Sequence, residues 1–318
     1  MERTFEMPQS FESVKNRLLT EFPKEKIEGI DTRRVEDFIL QQGLEIKPFI
    51  VFDRKDLQKV RKIVGETGLL RSVFSNGECG LYSPEMDMVL VVRDKDVEES
   101  SGAIYTEGLL THELAHASSM YQGYVTADQK GFYTPRVGFC LPQNEMPWGL
   151  LLEEGWADMN RANYFKEHAS VEDKRKLENS LQFGDLDMED TVPSSHPSKS
   201  NEMIPLPIKY LYITADGRPT TKSSAYGGYA LELLCKKDPS IKPLLIEARS
   251  SVEGLRKLAR AVDKIIPGLY KSLSVGDYTE ASFFEKLTYV IENVAGGTEN
   301  AIKASNSLRN RWDNLLQK

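Results

Sequence analysis

Apolar and polar positions alternate along this chain with two different periods. Residues 9–43 interleave them at helical spacing and predict helix. "KPFIVFD" (47–53) predicts a strand, and "RKDLQKVRKIVGE" a helix with Leu57, Val60 and Ile63 on one face. "GECGLYSPEMDMVLVVRD" (77–94) predicts two strands around a Ser-Pro turn. "SGAIYTEGLLTHELAHASSMY" (101–121) predicts a single helix whose core stripe is Leu110, Leu114, Ala117 and Tyr121. "YVTADQKGFYTPRVGFCL" (124–141) alternates around a glycine and predicts a hairpin. A further helix over 147–168 would begin at Pro147, where a missing N–H is tolerated. Ser170 and Asp173 form a capping-box pattern at the start of the next helix. Residues 183–203 are polar and rich in Pro and Ser, and read as a linker or mobile loop. From about residue 223 onward the chain reads as helices, and "VEGLRKLARAVDKII" has an apolar face suited to a bundle core.

This order predicts an α+β fold in which a small mixed sheet precedes a helical region. The expected division is an N-terminal α+β lobe over 1–122, an inserted hairpin over 123–145 and a mainly helical lobe over 146–318. A chain of 318 residues suits two packed units or one large unit with two lobes. No internal repeat is visible.

Composition narrows the partners. A net charge of -7 and a pI near 5.4 argue against nucleic acid, whose phosphates need a basic surface. No apolar run is long enough to span a bilayer, so no membrane partner is expected. "MERTFEMPQSFESVKNR" lacks the apolar segment of a signal peptide, so a cytoplasmic location is expected. Cys79, Cys140 and Cys235 are widely spaced and odd in number, which predicts free, buried thiols rather than a disulfide framework.

The chemistry concentrates in "THELAH". The chain holds only 4 histidines, and His112 and His116 lie four apart with Glu113 between them. On a helix that spacing separates them by roughly 40° and about 6 Å, so both imidazoles can reach one metal ion. His112 lies about 200° around the helix from Leu110, off the core stripe, so the pair needs a cleft. Glu113 then projects beside the metal as a base for a water molecule, the His–base–His arrangement of zincins. The pattern is short, and a surface helix can carry it by chance. A catalytic zinc, one per chain, needs a third protein ligand and an open position. His168, far along its helix, and His196, in the polar segment, are poor candidates. "LLLEEGWAD" offers Glu154 as the ligand, with Asp158 on the same helix face to accept a hydrogen bond from a ligand histidine. An ordinary exposed carboxylate is the alternative for Asp158. Glu153 has Ala157 at its own i+4 position and no equivalent partner on that helix.

HExxH followed by a glutamate in an ExxxD frame resembles the gluzincin metallopeptidases, including thermolysin and the leukotriene A4 hydrolase type of aminopeptidase. "PWGLLLEEGWAD" looks like the "WLNEGFA" stretch of the latter, which places the ligand at Glu154 rather than Glu153. The resemblance implies a zincin-like fold, a zinc cofactor, and a peptide or protein substrate. "SSAYGGYALELL" resembles the helix that carries the oxyanion-donating tyrosine there. That makes Tyr226 the candidate donor, with core packing as the alternative, and leaves Tyr229 as packing. Two departures stand out: 37 residues separate His116 from Glu154, and no GAMEN-type segment precedes HELAH. The expected function is a zinc-dependent peptidase with Glu113 as general base. The alternative is a zincin-like scaffold that binds a peptide or partner without catalysis. A peptide is expected to lie extended beside a strand from residues 78–93.

Overall fold

The computed structural model describes residues 9–24, 27–65, 79–119, 121–125, 132–139, 149–181, 187–189, 191–196, 199–214, 218–220, 222–265 and 267–275. Over these residues the chain is α+β, mostly helical, around a three-stranded sheet.

The sheet is built from β1 (Phe49–Asp53), β2 (Gly80–Ser83) and β3 (Met88–Arg93) in the order β1-β3-β2. β1 runs parallel to the central β3, and β2 antiparallel. The strands are short apolar runs because both faces are covered. Ile50, Phe52, Met88, Leu90 and Val92 share one core with Phe11, Val14 and Leu18 of α1 (Gln9–Glu21) and Val60, Ile63 and Val64 of α3 (Leu57–Gly65). Phe49, Val51, Val89 and Val91, the alternate residues, point the other way. They meet Val35, Phe38 and Ile39 of α2 (Thr32–Gln41) and Leu110 and Leu114 of α5 (Ile104–Ala117).

The expected helix over 9–43 is therefore two. Pro23 follows α1, and Gly29 takes φ +78 in the connection. The helix expected over 101–121 is also interrupted. A separate α4 (Lys95–Ser101) is capped by Asp94, and Gly102 at φ +85 ends it. α5 then stops at Ala117, so Tyr121 belongs to β4 (Tyr121–Val125) rather than to the helical stripe. β4 pairs antiparallel with β5 (Phe132–Val137), giving the expected hairpin.

α6 (Leu150–His168) starts at Gly149, which adopts φ +79, and Pro147 lies outside the described residues. α7 (Val171–Leu181) has the capping box anticipated: Ser170 N–H donates to Asp173 Oδ2 at 2.9 Å, and Asp173 N–H to Ser170 Oγ at 3.0 Å. Part of the segment over 183–203 expected as a linker or mobile loop instead forms a ribbon of β6 (Thr191–His196) and β7 (Lys199–Pro207). Pro193 sits opposite Pro205 there, which a two-stranded ribbon tolerates because each strand has a free edge. The short pair β8 (Tyr212–Ile213) and β9 (Pro219–Thr220) leads into α8 (Ser223–Lys237), α9 (Ile241–Ser250), α10 (Val252–Ile265) and α11 (Leu269–Val275). Residues beyond 275, expected to be helical, lie outside the described residues. The larger core is continuous from α2 and α5 through α6, α8 and α9 to α11.

A buried carboxylate fixes α5 against its neighbours. Glu107 accepts from Asp31 N–H at 2.8 Å, from Arg34 at 2.5 Å and from Tyr164 Oη at 2.6 Å. These bonds join α2, α5 and α6 at the end of α5 opposite the histidines.

Candidate metal centre

His112 and His116 stand on α5, and Glu154 on the facing α6. The two Nε2 atoms are 3.1 Å apart, and Glu154 places one oxygen 3.5 Å from His112 Nε2 and the other 3.7 Å from His116 Nε2. One donor atom from each residue falls within 4.8 Å of the others, the only such group of three or more among the described residues. Tetrahedral ligands at zinc bond lengths of about 2.0–2.1 Å would stand about 3.3 Å apart. The spacing and the two-imidazole, one-carboxylate donor set therefore fit zinc.

The outer ring nitrogens face buried carboxylates. His112 Nδ1 lies 3.2 Å from Asp158 Oδ1, although its N–H direction misses tight hydrogen-bond geometry. His116 Nδ1 lies 3.2 Å from Glu153 Oε1. Asp158 is fully buried, so the exposed-carboxylate alternative does not hold. Its Oδ1 also accepts from the Tyr212 hydroxyl and, at 3.1 Å, from Arg161 Nε. Glu153 is the residue that sequence reasoning passed over. It is buried, accepts from Ser119 Oγ at 2.7 Å and Phe139 N–H at 3.0 Å, and pairs with Arg249 at 2.9 Å. Gly138 adopts φ +55, which favours glycine, and a Cβ there would displace Glu153 Oε2 and Ser119 Oγ.

Charges follow from this packing. Burial pushes the His112 imidazole down, but Asp158 and Glu154 more than offset it and its pKa is raised. Burial likewise opposes charge on His116, yet Glu154 and Glu153 hold its pKa well above the ordinary value. Burial raises the carboxylates as well, and the surrounding cations win: Arg249 and His116 bring Glu153 down to about 2, and the histidines depress Glu154. Glu113 moves the other way. Burial raises its pKa, with only weaker opposition from the histidines and Lys222.

His112, Glu113, His116, Glu153 and Glu154 line a cleft of about 740 Å³. Gly80, Leu81 and Tyr82 of β2 form one wall, and Tyr212, Ile213, Thr220 and Lys222 another. β2 is an edge strand, and a Cβ at Gly80 would come within 2.5 Å of Glu113 Oε1. Tyr226, by contrast, is fully buried on α8 and is not among the cleft-lining residues, while Tyr229 packs 5.9 Å from the Tyr210 ring. Lys222 is exposed, 4.3 Å over the Tyr212 ring. His168 is remote from the cleft, its ring against Phe38 and Tyr164. Cys79, expected to be buried, is partly exposed along the cleft; Cys235 packs against the core, and neither is in a disulfide. Cys140 and the side chain of His196 lie outside the described residues.

Comparison with protein-family models, with curated proteins and with solved structures gave no match. No helix among the described residues is long and apolar enough to cross a membrane.

Proposed function

We propose that this protein is a zinc-dependent peptidase with a zincin-like active site of the gluzincin type. The observation that carries the reading is the convergence of His112, His116 and Glu154 at zinc-ligand spacing, with Glu113 on the same cleft floor. When bound there, the ion supplies Lewis-acid polarisation and activation for attack on a carbonyl. His112 and His116 hold it as neutral imidazoles, each steadied by a carboxylate at Nδ1. Glu113 takes a proton from the attacking water as the carbon–oxygen bond forms. It passes that proton to the amine nitrogen as the carbon–nitrogen bond breaks, giving a carboxylic acid and an amine, which exchange a proton to become carboxylate and ammonium.

The outer edge of β2 beside Glu113, which pairs with no further strand among the described residues, suits an extended peptide whose backbone would add to the sheet. Lys222 faces the cleft and is our preferred donor to the developing oxyanion, since Tyr226 would first have to leave the core. Zinc analysis of the reconstituted protein should give about one ion per chain. A peptide library should then yield a cleaved sequence whose hydrolysis stops on chelation and returns with zinc. Zinc uptake without hydrolysis of any peptide would favour the binding-scaffold alternative. No uptake would end both readings.

A further inference from the structure

His112 and His116 are backed in the same way by different parts of the chain. Behind His112 stand Asp158 and Arg161, whose guanidinium also donates to the carbonyls of Tyr210 at 3.0 Å and Leu211 at 3.2 Å. Behind His116 stand Glu153 and Arg249, and Arg249 comes from α9, 96 residues beyond Glu153. Arg249 donates to the Ala115 carbonyl, to Ser119 Oγ, and to Ser118 Oγ at 3.1 Å. It thereby satisfies groups at the C-terminal end of α5, where carbonyls lack helical partners. Glu153 and Arg249 are both almost completely buried, at 3% and 2% exposure.

Geometry gives the arrangement a purpose. Glu153 stands 3.2 Å from His116 Nδ1 and 2.9 Å from Arg249, and Asp158 stands 3.2 Å from His112 Nδ1 and 3.1 Å from Arg161 Nε, so each imidazole is backed by a carboxylate that is itself held by an arginine. Removing the arginine would leave a buried carboxylate uncompensated, which is strongly destabilising. A lone arginine could hold the end of α5, but it could not orient His116, because among the described residues only Glu153 reaches Nδ1.

We propose that Glu153 and Arg249 are a positioning couple for His116, so that α9 belongs to the metal centre although it supplies no ligand. This rests on the reading of the cleft as a zinc site. The test is a chelator-competition titration of zinc on the full chain, with circular dichroism of each metal-free variant to confirm folding. Glu153→Gln and Arg249→Met should each weaken zinc binding by about 10- to 100-fold. Arg249→Lys should recover part of the loss. The double variant should lose less than the two single effects multiplied, because no unpaired charge is left buried. If Arg249→Met does not fold, Glu153→Gln, which preserves shape, carries the same comparison. A purely structural couple would lower metal-free stability and leave zinc affinity unchanged in the folded variants, and that result would overturn the proposal. A wild-type chain that takes up no zinc would instead overturn the metal reading beneath it.

Discussion

At the scale of single residues, the site depends on which atoms face inward. Glu113 projects from the same helix as His112 and His116 but does not join the cluster they form with Glu154. Glu113→Gln should keep zinc and lose turnover, because an amide cannot take the proton. Wild-type cleavage by that variant would remove Glu113 from the base role. The donor assignment separates Lys222 from Tyr226. Lys222→Met should slow cleavage by about a hundredfold to a thousandfold, while Tyr226→Phe, deep in the core, should leave the rate within a few-fold. The reverse ranking, measured as kcat/KM with metal content checked, would return the role to Tyr226. His112, Glu113, His116, Glu154 and Asp158 were legible in sequence because their spacing is local, within four positions along α5 for the first three and four positions along α6 for the other two. Glu153 was not. Its partners are His116 on another helix and Arg249 on a third, and no pattern along α6 encodes them.

At the scale of elements, the approach of α6 and α8 sets the back of the site. Gly155 follows Glu154, and a Cβ there would meet the Gly227 carbonyl carbon at 2.7 Å. At Gly228 a Cβ would meet the Gly155 carbonyl oxygen at 2.9 Å and Met159 N at 3.0 Å. The sequence marked these glycines only through a resemblance; the structure supplies the reason, which is backbone packed on backbone. Gly228→Ala would gain up to about 1 kcal/mol in helix propensity. Backbone atoms cannot yield as a flexible side chain can, and overpacking typically costs about 1–3 kcal/mol. The clash should win, and urea unfolding should show net destabilisation. A neutral or stabilised variant would mean that the two helices separate freely. Strong periodicity made α3 and α10 readable, and the capping box made the start of α7 readable. The ribbon of β6 and β7 was hidden because its prolines and serines carry a loop composition.

At the scale of the whole molecule, the α+β class was legible from the order of short apolar strands and longer helical stretches. The continuous core was not, because it joins residues far apart in sequence, from Val35 to Leu273. That continuity has a thermodynamic consequence. His112 and His116 lie before the β4–β5 hairpin, Glu154 after it, and Arg249 farther on. Bringing them together requires most of the described core to be folded. An ion held by His112, His116 and Glu154 favours the native chain over the unfolded one, and at a thousandfold excess over its dissociation constant the gain is about 4 kcal/mol. Zinc should therefore raise the thermal midpoint of the full chain in a concentration-dependent way, and a chelator should reverse the rise. Glu154→Ala should unfold near the metal-free wild-type midpoint and respond much less to zinc, since a ligand is gone while the core is intact. If Glu154→Ala gained as much as the wild type, the stabilising ion would be bound elsewhere, and His112, His116 and Glu154 would not be its site.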